Sequence, residues 1–323
     1  MKLTLDMIKS VTVGAASVYQ NSSGAVMFEK CTPKQIQAWY DFGSETLGAR
    51  AKTTTGIRLD FHTNSKNLIF KTSSGGKFEL LIDGMLRERY TPEEGSTSIE
   101  KSIRLSNMRE EENDEYRITL VFPSHSVGSL EYVEIDDGAY IKRHEFSTKM
   151  LFIGDSITQG HNSYYDTLSF AWRVSNHYNA ESIINGIGGA FYEPETFDTP
   201  NFDPDTVIIA YGTNDAYRFK EYSEMEKRVI GYLDLVKAAY GNKRVVVISP
   251  IWRADNAKNV CDTEFKRKRE MVEFEAKKRG FEVVHGLELV PPIDEFFADR
   301  YLHPNDLGFG LYAENLIKKL DNK

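Results

Sequence analysis

The chain has 323 residues, 41% of them hydrophobic and 27% charged, with a formal net charge of -8. That length is generous for one compact domain, so two are expected, each with enough apolar material for a core. The acidic balance argues against a nucleic-acid partner, since phosphate contacts need a positive surface. Two distant cysteines, Cys31 and Cys261, exclude a disulfide framework and a cysteine-rich zinc module.

The first twenty residues, MKLTLDMIKSVTVGAASVYQ, are interrupted by Asp6 and Lys9 and lack an apolar run of signal-peptide length. No later stretch approaches membrane-spanning length. The expectation is a cytoplasmic protein with free thiols and no membrane partner.

From about Thr53 to Ile141 the hydrophobic pattern has a period of two. In GIRLDFHT, Ile57, Leu59 and Phe61 alternate with Arg58, Asp60 and His62, and NLIFKT, KFELLIDG, RITLVFP and LEYVEID repeat the pattern between turns such as Asp83-Gly84. Short alternating strands at this spacing predict an antiparallel, jelly-roll-like β-sandwich. The acidic run Glu110 to Glu115 falls between two strands and reads as a solvated hairpin end in preference to a metal loop.

After Lys149 the pattern changes. MLFIG, SIINGIG, TVIIAYG, RVVVISP and FEVVHG read as strands buried on both faces, with helical segments between them. One helix is expected over Glu221 to Tyr240, with Met225, Val229, Leu233 and Val236 on its inner face and Ser223 and Glu226 at capping-box spacing. The next carries Lys266-Arg267-Lys268-Arg269 followed by Glu270, Glu273 and Glu275, which reads as a solvated, charge-laced face. Strands alternating with helices predict a parallel sheet covered on both faces. The change of pattern puts the domains at 1–147 and 148–323.

Ligands of such sheets bind beyond the carboxyl ends of the strands. Four polar or glycine-rich segments fall there or in terminal loops: Ser156 after the first strand, Gly186 to Gly189 after the second, Gly212 to Asp215 after the third, and His303 before the last helix. A serine hydroxyl needs a base within hydrogen-bond reach, and an imidazole can take its proton and return it to a leaving group. A tetrahedral oxyanion needs fixed donors, which glycine-turn N–H groups and an asparagine amide supply. Each residue has a structural alternative. Ser156 is also a good N-cap, Gly188 and Gly189 suit a turn with positive φ, Asn214 suits a left-handed turn, and His303 stands where it could cap the final helix. His62, His125, His144, His161, His177 and His285 read as structural or solvated.

In order, GDSITQG, NGIGGA, YGTND and DRYLHPND resemble the four sequence blocks of the SGNH (GDSL-type) hydrolases, over roughly Met150 to Lys323. The resemblance implies a flavodoxin-like parallel sheet with flanking helices. It implies Ser156 as nucleophile, its own N–H and that of Gly189 as oxyanion donors, the Asn214 amide as a third, His303 as general base, and no metal or other cofactor. One position departs from the pattern. The final block is usually Asp-x-x-His, but Arg300 stands three before His303 and the acid, Asp299, stands four before. Three arrangements are compatible with that spacing: Asp299 reaching His303 through an altered turn, a Ser–His dyad held by a backbone carbonyl, or some other acid, such as Asp294, as the orienter.

An SGNH domain preceded by a β-sandwich is similar to two-domain carbohydrate esterases that remove acetyl groups from plant polysaccharides or their oligosaccharides. In PIWRAD, after the fourth strand, Trp252 reads equally as a wall for an acyl methyl or sugar ring and as a core tryptophan. The expected activity is a serine esterase acting on O-acetylated oligosaccharide, with acetyl-xylan as the type of substrate. A thioesterase or lipase-like acyl hydrolase, or a catalytically silent glycan-binding protein, are the alternatives.

Overall fold

The computed structural model describes residues 1–73, 75–108, 114–254 and 262–322. The acidic stretch at 110–113, Ser74 and Cys261 therefore lie outside the described residues; Cys31 is buried and forms no disulfide among the described residues.

The chain forms two compact units, the first comprising Met1–Cys31 and Lys52–Phe146. It holds two antiparallel sheets. One runs in the order Thr12–Val13, Arg58–Thr63, Tyr116–Val121, Phe78–Ile82, Met85–Tyr90, with Lys142–Arg143 also paired to Arg58–Thr63. The other runs Ser17–Gln20, Val26–Glu29, Ser129–Ile135, Asn67–Thr72, Ile99–Arg104. The apolar members of each alternating run, among them Leu59, Phe61, Leu68, Phe70, Leu80, Ile118 and Val133, are buried in a single cluster fed by both sheets. The polar members are not all solvated. Asp60 is fully buried because Arg117 grips its carboxylate through Nε and Nη2, each at 2.9 Å, and Arg58 Nε adds a contact at 3.2 Å.

The second unit comprises Thr32–Ala51 and Ser147–Lys323. Its inclusion of Thr32–Ala51 differs from the division at 147 read from the sequence. That segment carries no period-two pattern. It folds as short helices, Pro33–Ala38 and Glu45–Ala51, around a π-helical turn. Buried Trp39 meets Phe191 edge-on at 5.7 Å, and the Thr32 hydroxyl donates to Asp198 at 2.6 Å. A tryptophan and a capping threonine with partners more than 150 positions away give no local signal of where they pack.

Five parallel strands follow: β1 (Thr148–Gly154), β2 (Ala180–Gly186), β3 (Thr206–Ala210), β4 (Arg244–Ile248) and β5 (Glu282–Val284), in the order β2-β1-β3-β4-β5. This is the flavodoxin-like order, with its switch point between β1 and β3. The helix Tyr222–Tyr240 buries Met225, Val229, Leu233 and Val236 as the periodicity predicts. Its start does not use the predicted capping box: Glu221 is the N-cap residue and no side chain caps it. In the helix Asp262–Lys278 the predicted solvated face is also incomplete. Lys268 is buried, and its ammonium donates to the carbonyls of Ala216 (3.0 Å) and Phe219 (2.8 Å), where the helix Thr213–Arg218 ends. A cation suits that end because the last carbonyls of a helix lack intrahelical partners. Glu275 is buried likewise, paired with Arg279 at 2.6 Å.

Candidate active site

β1 pairs in register with both neighbours so that Gly154 stands opposite Gly186 of β2 and Ala210 of β3, and the three strands end at one level. The helical turn Ser156–Gln159 lies directly on these ends. A Cβ on Gly186 would stand 2.4 Å from the Gln159 backbone nitrogen, so only glycine lets the two segments touch. Asp155, not Ser156, is the N-cap: its carboxylate accepts the Ile157 N–H at 2.9 Å. The serine is thus released from the capping role that its position allowed.

Ser156 Oγ lies 2.9 Å from His303 Nε2, and His303 Nδ1 lies 2.7 Å from Asp299 Oδ2. The other carboxylate oxygen of Asp299 accepts three backbone N–H groups, from Tyr301 (2.9 Å), Leu302 (2.8 Å) and His303 (3.1 Å). The extra residue between acid and imidazole is absorbed at Arg300, which takes φ +53° in the left-handed region. Burial pushes the Asp299 carboxyl up, but the hydrogen bonds from Leu302, the imidazole, His303 N–H and Tyr301 outweigh it and hold it below the usual carboxylate range. An ionised carboxylate only accepts, so Nδ1 carries the proton and Nε2 offers its lone pair to the serine hydroxyl. Asp294 is exposed on the 3-10 turn Asp294–Phe296 and its carboxylate makes no hydrogen bond or ion pair to His303 among the described residues. Asn305 caps the final helix through Leu307 and Gly308, leaving His303 no capping duty.

The glycine loop after β2 is clamped from two sides. Gly188 N–H donates to Gln159 Oε1 at 2.8 Å, and the Gly188 carbonyl accepts from Arg50 Nη1 at 2.7 Å. Gly189 has φ +88°, which disfavours any residue with a Cβ. Asn214, on the helical turn after β3, donates one amide hydrogen to the Ala190 carbonyl at 2.9 Å and keeps a second. The N–H groups of Ser156 and Gly189 have no acceptor among the described residues.

Two residues read from the sequence as unremarkable, or not read at all, belong to this neighbourhood. The His161 ring meets that of His303 edge-on at 4.6 Å. Burial, then the charges of His303 and Arg50, push its pKa down. Its place directly after GDSITQG was the available signal. Arg50 comes from the helix Glu45–Ala51, and nothing in the sequence links that helix to the glycine loop. Trp252 is half-buried and tilted against Phe297 at 5.1 Å. Asp255 of PIWRAD lies outside the described residues. Among the described residues no group of three or more His, Cys, Asp or Glu side chains is arranged to hold a metal ion, and no helix is long and apolar enough to cross a membrane.

Behind the serine lie two fully buried carboxyls. Burial pushes Asp155 up to about 7, with the charge of Asp215 adding to the shift, and burial likewise pushes Asp215 up to about 7. Their unfolded value is 3.8, so between about pH 4 and 7 the native state binds more protons than the unfolded state, and stability falls as pH rises through that window. Asp215→Asn keeps an oxygen for the Tyr192 N–H, which Asp215 Oδ1 accepts at 2.8 Å, but removes one titration. The decline of Tm across that window should be shallower in this variant. Parallel Tm profiles would show that Asp215 does not titrate there.

A hydroxyl, an imidazole and a carboxylate in one hydrogen-bonded chain, at the carboxyl edge of a parallel sheet, define the constellation of a serine hydrolase. Residues 152–311 match the GDSL-like Lipase/Acylhydrolase family, and the α/β unit of this chain belongs to that family. Solved structures share the fold over nearly the whole chain. A salicylyl-acyltransferase, SsfX3, from a tetracycline biosynthetic pathway has a TM-score of 0.81 at 16% identity, covering 96% of this chain and 94% of its own. A putative GDSL-like lipase from Bacteroides ovatus has a TM-score of 0.76 at 20% identity, covering 98% and 96%. A family two carbohydrate esterase from Cellvibrio japonicus has a TM-score of 0.69 at 12% identity, covering 100% and 97%. No curated protein matches the chain by sequence.

Proposed function

We propose that the protein is a serine esterase that removes O-acetyl groups from carbohydrates, acting on acetylated oligosaccharides of the acetyl-xylan type. The observation that carries the reading is the unbroken chain from Ser156 through His303 to Asp299. His303 Nε2 takes the Ser156 proton as Oγ forms a bond to the ester carbonyl carbon. The carbonyl oxygen becomes an oxyanion held by the N–H groups of Ser156 and Gly189 and the second amide hydrogen of Asn214. The intermediate collapses, the C–O bond to the sugar breaks, and His303 hands its proton to the departing sugar oxygen. Water then repeats the sequence on the acetyl-enzyme, releasing acetate and restoring the serine.

Carbohydrate as the alcohol portion is supported by similarity to a carbohydrate esterase and by two partly exposed tyrosines close in sequence to Asn214 and His303, between which the Arg253 guanidinium lies, 4.0 Å from the Tyr217 ring and 5.1 Å from the Tyr301 ring. Tyr217 is 51% exposed one turn beyond Asn214, and Tyr301 is 38% exposed two residues before His303. The outer side of such rings, with the guanidinium beside them, offers a sugar an apolar surface next to hydrogen-bond donors. Trp252, half-buried on Phe297, is proposed as the wall for the acyl methyl. A cytoplasmic setting would suit short imported oligosaccharides.

A second reading, acyl transfer to a hydroxyl other than water, is favoured by the similarity to an acyltransferase. The same acyl-enzyme serves both. The test is acetate release from O-acetylated xylan, mannan and glucan fragments, beside a series of aryl esters from acetate to octanoate. Acetate release with a preference for the two-carbon aryl ester is expected. Preference for the long esters would overturn the acetyl reading, and ester products formed on added alcohols in place of free acid would favour transfer.

A further inference from the structure

We propose that Arg50 is a positioning residue for the oxyanion: its guanidinium, bonded to the Gly188 carbonyl, polarises the peptide whose N–H, that of Gly189, faces the developing charge. The Gly188 carbonyl and the Gly189 N–H are the two ends of one peptide unit. Arg50 Nη1 donates to that carbonyl at 2.7 Å. A charge-assisted bond at the oxygen end draws electron density from the nitrogen and makes the N–H a stronger donor, as in any chain of cooperating hydrogen bonds. The preceding peptide is fixed separately, by Gly188 N–H donating to Gln159 Oε1. The glycines let the arginine come this close: the position a Cβ would take on Gly189 lies 3.3 Å from Arg50 Nη1 and 3.3 Å from Leu47 Cδ2, side chains of the same helix, Glu45–Ala51. That helix therefore lies across the oxyanion turn, which accounts for a segment from the first fifth of the sequence packing with the α/β unit. The arginine's charge also reaches the imidazole pair, where it acts on His161 beside His303.

This role rests on the esterase reading above, and its test separates the two. Removing a whole oxyanion donor costs about 10²–10³-fold in kcat, so removing the group that polarises one donor should cost about tenfold. On phenyl acetate, Arg50→Ala should lower kcat by about that factor while KM stays within about twofold, because the added strength is felt only when the oxygen is negative. Arg50→Lys should recover part of the loss. Arg50 is solvent-exposed, so guanidinium chloride at millimolar concentration should restore turnover to Arg50→Ala and leave the native enzyme unchanged. An activity-independent measurement is the Gly189 amide in a ¹H–¹⁵N spectrum, whose proton should move upfield in Arg50→Ala and return with guanidinium. A Gly189 shift equal in native protein and Arg50→Ala overturns the proposal, as does an unchanged kcat, or a loss that guanidinium fails to rescue. Failure of native protein to hydrolyse any ester would overturn the esterase reading, and the Gly189 shift would still decide the part played by Arg50.

Discussion

Ser156→Ala should yield a folded protein whose kcat on phenyl acetate is lower by at least about 10³-fold, approaching ~10⁶ if the serine is the sole nucleophile. The methyl group keeps the helical turn, because the cap is Asp155 and not the serine. The lost hydroxyl leaves His303 Nε2 without its 2.9 Å partner in a part-buried setting, a change of about 1 kcal/mol in stability at most. Tm should therefore change little while the chemistry collapses. Steady-state turnover and a thermal melt on the same preparation decide the matter. Native-like turnover in the variant would mean that a different group attacks the ester, and the reading of the site would fall with it.

Asp299→Asn should lower kcat by about 10²–10⁴-fold, with a smaller effect on KM. The direction follows from the two oxygens of Asp299. Oδ1 accepts three backbone N–H groups, so an asparagine will keep its carbonyl oxygen there and turn its NH₂ toward His303 Nδ1. A donor at that point requires Nδ1 to accept, which moves the ring proton to Nε2 and leaves no lone pair for the Ser156 hydroxyl. The loop should survive, since its three N–H bonds are kept; Asp299→Ala would remove these as well and would mix a folding effect with a catalytic one. The side chain of Asp299 is 29% exposed, which tempers the loss relative to a fully enclosed acid. Asp294→Ala is the control and should turn over like native protein, because Asp294 makes no contact to the imidazole among the described residues. A rate within about twofold of native for Asp299→Asn would leave a Ser–His dyad as the working machinery.

Much of the α/β unit was legible because its signals are local. Strands buried on both faces read as unbroken apolar runs, and each run ends in glycine or small polar residues where the chain leaves the sheet. Met225, Val229, Leu233 and Val236 fall on one helix face by the arithmetic of 3.6 residues per turn and are all buried. The β-unit was legible through its period of two. The readings that needed correction share a different cause. Lys268 and Glu275 look like a solvated charged stretch, yet one ends a neighbouring helix and the other pairs with Arg279. A charge is predicted to be exposed unless a partner is visible, and these partners are remote or on another element. The grouping of Thr32–Ala51 with Ser147–Lys323 was not legible in the sequence because its partners, too, are remote along the chain.

The site divides along the same line. The amino-acid sequence by itself determined which groups are the candidates for the chemistry, since Ser156, Gly189, Asn214 and His303 stand at the ends of recognisable strands or before a recognisable helix, and their order along the chain matches that of the family's blocks. Only the tertiary structure decided how they are held. The spacing of Asp299 from His303 left three arrangements open, and a positive φ at one residue, Arg300, brings the carboxylate to 2.7 Å from the imidazole. Arg50 on the glycine loop and His161 against His303 were likewise decided by packing. Periodicity and capping are written within a few residues of one another, whereas the contact between a guanidinium and a carbonyl 138 positions away exists only once the core has closed.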